Sequence, residues 1–339
     1  FEDLSTQNII KLASNENPLG PSKKAIEAMK GGMSNVCRYP DFNGNRLKMA
    51  LSKHLNIFPE QLVLANGSNE ALLLIAQLFL NANCEVIIPE YSFAVYEIAT
   101  NLMGATPVIT PTHDWQVDLD AIVNAITEKT RMIFLANPNN PTGILINNKS
   151  LSDFIKKIPN DIIIVIDEAY HEYAMLNNAY ASMLPLIKAH SNLIVTRSFS
   201  KAYALAGLRL GYSISCPYIA EMVNRIRATF NVNHIAMVAG VASLEDTDFL
   251  NKTLEMHQKE YEKVKMGLEK LDLKYLPSAG NFITIDFQQP AQPIFEKLQK
   301  EGVIVRPLVG YQMSDCLRIT IGLPKENKRF LTTLGSVTA

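Results

Sequence analysis

Apolar residues fall into short unbroken runs, separated by stretches in which they recur every three or four positions. The runs "QLVLA" (61–65), "CEVIIP" (84–89), "RMIFLA" (131–136), "DIIIVID" (161–167) and "NLIVTRS" (192–198) are rich in β-branched residues and read as strands. Runs that are apolar throughout predict strands covered on both faces, and the amphipathic stretches between them predict the covering helices. The expected fold is therefore α/β, with a mostly parallel central sheet. Farther on, the charged helical pattern "DFLNKTLEMHQKEYEKVKMGLEKL" (248–271) leads into "NFITIDF" (281–287), "GVIVRPL" (302–308) and "CLRITIG" (316–322), which read as strands of a smaller α+β domain. The boundary is expected between residues 230 and 245.

Composition narrows the partners. A length of 339 residues exceeds what one core usually holds, in keeping with a large and a small domain. Net charge is −1, from 32 basic and 33 acidic residues without a block of one sign, so neither nucleic acid nor an anionic membrane is expected as a partner. The longest apolar runs, such as "ALLLIAQLFL" (71–80), are too short to span a bilayer. Four scattered cysteines form no C-x-x-C pair and the six histidines show no ligand spacing, so no disulfide framework and no metal are expected. A cytoplasmic protein acting on small molecules fits these features.

In open parallel sheets ligands bind beyond the carboxyl ends of the strands, so the residues that follow each run bear on chemistry. After "QLVLA", Gly67 permits a tight turn into a helix expected to open with Glu70. The free N–H groups near Ser68 and Asn69 then make either an anion seat or a plainly capped helix end. Five aliphatic residues run into Asp167, a carboxylate that caps a turn or, if buried, needs a cation or strong donors. The loop "ANPNNPTG" (136–143) is a simple turn or a rigid support aiming Asn140 at a ligand. In "LIVTRSFSKAYALAGLRLGY" (193–212), Lys201 lies between the hydroxyls of Ser198 and Ser200 and the guanidinium of Arg209. Together these residues supply an amine able to form an imine, an acidic partner for a ring nitrogen, donors for a ring hydroxyl and an anchor for phosphate. Those are the demands of pyridoxal phosphate.

With "SNENPLGPS" (14–22), "RYPD" (38–41), "NGSNEAL" (66–72), "PNNPTG" (138–143), "DEAYHEY" (167–173), "SFSKAYALAGLRLGY" (198–212) and "LRITIG" (317–322) in this order, the chain resembles the fold type I, aspartate-aminotransferase-like family. It resembles most its branch acting on histidinol phosphate. The resemblance implies an N-terminal arm (1–30), a large cofactor-binding domain (31–235) and a small C-terminal domain (236–339). It implies that Lys201 forms the imine and then moves the substrate's α-proton, that Asp167 keeps the ring nitrogen protonated, and that Asn140 and Tyr170 bond the ring oxygen. Phe93 would stack on the ring, while Ser198, Ser200, Arg209 and the backbone of the Gly67–Ser68–Asn69 turn hold the phosphate. Tyr39 would reach the cofactor of a second copy, implying a homodimer with shared sites. Arg318 would take the carboxylate of glutamate or 2-oxoglutarate, Arg306 the substrate phosphate, and Asn17 a substrate contact. The same residues leave open an aromatic amino-acid aminotransferase or a threonine-phosphate decarboxylase. A non-catalytic regulator lacks a visible nucleic-acid module, and no G-x-G-x-x-G follows a strand to suggest a dinucleotide enzyme.

Overall fold

The five β-branched runs of the central sheet become strands whose alternate residues feed two different cores. A computed structural model of the protein describes residues 9–338, so residues 1–8 of the expected N-terminal arm lie outside the described residues. In the strand Ile163–Asp167, Ile164 and Ile166 enter the core on one face of the sheet, Ile163 and Val165 the core on the other. Thr130–Ala136 divides the same way, Ile133 and Leu135 against Met132 and Phe134. Such side chains contribute about 1.5–3 kcal/mol each by leaving water, which is why these runs carry no polar alternation.

The seven-stranded sheet has the order Leu62–Ala65, Gly211–Ile214, Leu193–Ser198, Ile163–Asp167, Thr130–Ala136, Glu85–Pro89, Thr106–Thr110. Its strands are parallel except Gly211–Ile214, which runs antiparallel to both neighbours. The expected mostly parallel sheet is thus present. The helix after the first strand spans Ser68–Phe79, opening two residues before the expected Glu70.

A second sheet of four antiparallel strands has the order Lys274–Leu276, Phe282–Asp286, Cys316–Thr320, Arg306–Pro307. The helix Thr247–Lys270, capped by the Asp246 side chain on Phe249 N–H, packs Val264 and Leu268 into the core beside it. The run 302–308 is not one strand. Val303–Ile304 pairs with Ile10–Lys11, and Arg306–Pro307 pairs with Cys316–Thr320, because the chain changes partner at buried Val305. Past Ile10–Lys11, segment 13–17 bonds to both halves of the molecule: Asn15 N–H to Thr320, Asn17 to Ala202 and Thr253. Among the described residues, no helix is long and apolar enough to cross a membrane.

Candidate active site

The carboxyl ends of the parallel strands open on a cavity of about 390 Å³, closed from the side by segment 13–16 and by Arg306, Tyr311 and Arg318. One end of it is built for an anion. The first turn of helix Ser68–Phe79 faces it through Ser68 and Asn69, with the positive end of the helix dipole behind them. Gly67 has φ +86°, and a Cβ there would run into the Arg209 guanidinium. Gly211 serves the same end differently, since a Cβ on it would strike the backbone of Gly67 and Ser68. Ser200 N–H donates to Ser198 Oγ at 3.0 Å, and Arg209 Nη1 donates to Ser200 Oγ at 3.4 Å and Ala206 O at 3.1 Å. Two hydroxyls, a guanidinium and a helix N-terminus thus converge.

At the floor lies Asp167, the last residue of its strand and buried. Tyr96 Oη donates to its Oδ2 at 3.0 Å, while Thr196 Oγ1 and Ala169 N–H each donate to Oδ1 at 3.1 Å. Burial pushes the carboxyl above its ordinary range, and these three bonds pull the other way. The next residue, Glu168, joins a different set of partners. It accepts from Arg197 Nε and Nη2 at 3.0 and 2.8 Å, and from Ser182 and Met183. Phe93 lines the cavity and meets Tyr96 edge-on, ring centroids 5.9 Å apart.

Lys201 reaches in above this floor, its Nζ 5.5 Å from the Tyr170 ring and donating to Ser14 O at 3.3 Å. Burial, with the Arg318 guanidinium adding repulsion, lowers its pKa to about 8, so neutral amine is within reach near pH 7. Tyr170 accepts from Asn15 Nδ2 at 2.8 Å. Buried Arg318 donates from Nη1 to Asn140 Oδ1 and from Nη2 to Ala13 O at 3.1 Å, while its Nε has no partner. Arg306 stands opposite Arg318 across the strand pair and is exposed at the cavity edge.

Of the residues singled out in the sequence, twelve converge here: Ser68, Asn69, Phe93, Asn140, Asp167, Tyr170, Ser198, Ser200, Lys201, Arg209, Arg306 and Arg318. Gly67 stands behind them, under Arg209. Two lie elsewhere. Asn17 is buried outside the cavity, its amide nitrogen spent on Ala202 O and Thr253 Oγ1 and its oxygen on Leu19 N–H, so it fastens the segment and does not line the cavity. Tyr39 is 81% exposed and stacks on Phe230 at 4.6 Å, away from this chain's own cavity. Sequence reasoning missed Asn15, Tyr96, Thr196 and Tyr311. Tyr96 had a signal, since it follows Phe93 by three residues, one helical turn, in the same "PEYSFAVY".

The family model for class I and II aminotransferases matches residues 7–334. The chain is 47% identical over 332 residues to histidinol-phosphate aminotransferase 1 of Mannheimia succiniciproducens, covering 98% of this chain and 90% of that relative. It is 44% identical to histidinol-phosphate aminotransferase 2 of Haemophilus influenzae, covering 99% and 91%. Its fold is similar to that of the histidinol-phosphate aminotransferase of Sinorhizobium meliloti in complex with pyridoxal-5'-phosphate, with a TM-score of 0.90 at 27% identity over 97% of this chain and 90% of that one. The L-threonine-O-3-phosphate decarboxylase of Porphyromonas gingivalis shares the fold, with a TM-score of 0.86 at 22% identity over 97% and 99%.

Proposed function

The chain belongs to the class I and II aminotransferases, and on that premise we propose that it binds pyridoxal phosphate and exchanges an amino group between histidinol phosphate and 2-oxoglutarate. In the biosynthetic direction glutamate and imidazole-acetol phosphate react, a step toward histidine. The observation that carries this reading is the convergence of Lys201, Asp167 and the Arg209 anion seat on one cavity. Two details favour the fit of the cofactor and a carboxylate: the close approach of the Arg209 guanidinium to Gly67, possible because Gly67 has no Cβ, and the unpartnered Nε of buried Arg318.

When bound, pyridoxal phosphate supplies a carbonyl that captures the amine and a ring that draws electrons from the α-carbon. The chain's residues do the rest. Ser68, Asn69, Ser198, Ser200 and Arg209 hold the phosphate, and Phe93 covers a ring face. Asp167 holds a proton on the ring nitrogen, and Asn140 and Tyr170 bond the ring oxygen. Lys201 would carry the proton at the substrate α-carbon, a task suited to an amine whose pKa lies near 8. Arg318 binds the carboxylate of glutamate through a guanidinium fork, and Arg306 takes the phosphate of the other substrate.

The proposal extends to a homodimer in a cytoplasmic setting, with Tyr39 serving the second copy's cofactor. Its support is the exposed apolar residues Met33, Val36, Tyr39 and Phe42, the last two packed against Phe230. It also extends to the division into an arm, a large domain and a small one, expected at 1–30, 31–235 and 236–339. The separate cores around the two sheets support two domains, but not these bounds: Ala25 of the arm and Ala236, Ala239, Val241 and Leu244 of helix His234–Leu244 lie in the core of the large sheet, which favours a start of the small domain past Leu244.

The test is steady-state transamination by protein reconstituted with pyridoxal phosphate. Glutamate should form from 2-oxoglutarate with histidinol phosphate as donor; carbon dioxide from threonine phosphate, without glutamate, would overturn the reading. Arg306→Ala should reduce kcat/KM for histidinol phosphate about 10- to 100-fold, a charged hydrogen bond's worth, and for phenylalanine hardly at all. Equal losses would remove Arg306 from the phosphate.

A further inference from the structure

We propose that Asn15 is a positioning residue for Tyr170: its amide donates to the phenol oxygen and so directs the phenol's own proton into the cavity, toward the cofactor's ring oxygen. The inference rests on the assignment of pyridoxal phosphate made above and deepens it.

Asn15 is 1% exposed and sits in the segment that joins the two sheets. Its φ of 55° is left-handed, a conformation asparagine tolerates better than most residues. Its polar atoms are all engaged. The backbone N–H donates to Thr320 Oγ1 at 2.9 Å, and the carbonyl accepts from Asn281 Nδ2 at 3.0 Å. The side-chain Oδ1 accepts from Thr320 Oγ1 at 3.3 Å, which leaves Nδ2 to donate to Tyr170 Oη at 2.8 Å. Thr320 and the backbone therefore fix which end of the amide faces the phenol.

A phenol carries one proton and acceptor lone pairs. With an acceptor site filled by Asn15, the proton is what Tyr170 still has to offer a ligand. Donation to its oxygen also polarises the O–H bond, so each bond in the chain strengthens the next. A stronger bond to the ring oxygen favours its anionic form and lets the cofactor's proton leave at lower pH. The other groups facing Tyr170 are Asp167, Tyr96, Tyr173, Tyr311, Arg318 and Lys201. All of them persist when Asn15 alone is changed.

The experiment titrates the visible absorbance of the holoenzyme against pH in wild type, Asn15→Gly, Tyr170→Phe and the double variant. Glycine keeps the left-handed backbone and removes only the amide. The midpoint should rise by about 0.5–1 pH unit in Asn15→Gly, the size of one hydrogen bond. In the Tyr170→Phe background the same change should do nothing, because the partner is gone. Should the glycine variant not fold, Asn15→Asp keeps the shape and turns the donor into an acceptor, and its midpoint should rise as well. An equal rise in both backgrounds, no rise, or a fall, meaning that Tyr170 had been giving its proton to Asn15, overturns the proposal. A wild-type holoenzyme without a titrating band removes the cofactor reading itself, an outcome distinct from the others.

Discussion

Lys201 is a residue whose protonation burial changes directly. Holding its amine at about 8 instead of 10.5 means that the folded protein binds fewer protons than the unfolded chain between those pH values. The folded state is therefore disfavoured by this group at pH 7, and the penalty is relieved as pH rises from about 8 toward 10.5. Cofactor-free Lys201→Met should be more stable than wild type at pH 7, by at most about 3 kcal/mol. Chemical denaturation should show the gap closing by about pH 10.5, and a gap independent of pH would mean that packing, not the charge, is responsible. Tyr96 makes the corresponding case for Asp167. Tyr96→Phe removes one of three donors to a buried carboxylate and should slow the amino-donor half-reaction about tenfold, a loss set by one charged hydrogen bond. Asp167→Asn should cost far more in the same stopped-flow assay, and parity between the two would make Tyr96 as essential as the carboxylate. The sequence displayed Lys201 and Asp167 because each ends or follows a run of unmistakable strand pattern. It hid Asn15 and Thr196, whose roles depend on chain segments 155 and 29 positions away. It singled out Asn17 and not Asn15, two residues away in the same polar "SNEN", because only the left-handed turn at Asn15 decides which amide reaches Tyr170.

At the scale of elements, the site depends on how closely strand Gly211–Ile214 can approach helix Ser68–Phe79. Gly211→Ala would drive a Cβ into the backbone at Gly67 and Ser68, displacing the turn proposed to seat the phosphate. The expected outcome is at least a roughly tenfold weaker grip on pyridoxal phosphate, read by absorbance titration, a loss of about 1.4 kcal/mol. Gly207→Ala, where no atom lies within 4 Å, should leave binding unchanged. If both variants bind like wild type, the close approach does not shape the seat. Gly211–Ile214 was not legible as a strand, since four residues following a left-handed Arg209 offer too little pattern to show one. Thr106–Thr110 was hidden for another reason: it is an edge strand, tolerating Pro107 and leaving Thr106 and Ile109 exposed, so it lacks an apolar run. The run 302–308 misled because its hydropathy is continuous while its pairing is not.

For the molecule as a whole, pH enters through the buried group behind the site as well as through the site itself. Glu172 is buried near Arg197 and Glu168, and burial pushes its pKa from 4.5 to about 7. A carboxyl raised in this way contributes stability below pH 4.5 that is lost as pH rises through 7. Glu172→Gln should therefore be more stable than wild type at pH 8, by at most about 3 kcal/mol, with the difference fading toward pH 4.5; a difference unchanged across that window would contradict the burial argument. The large-scale architecture was legible, because doubly covered strands and their helices write themselves as hydropathy, and the residues at their ends follow from chain direction. The joining of the two sheets by segment 13–17 was not, since it is made of single hydrogen bonds from polar residues. The measurement that bears most directly on the whole account is a single turnover of the holoenzyme mixed in turn with histidinol phosphate, phenylalanine and threonine phosphate, following cofactor absorbance and carbon dioxide together. The account predicts rapid conversion of the cofactor to its amine form with histidinol phosphate, much slower conversion with phenylalanine, and no carbon dioxide from threonine phosphate. Equal rates with phenylalanine, or carbon dioxide release without amine formation, would contradict it.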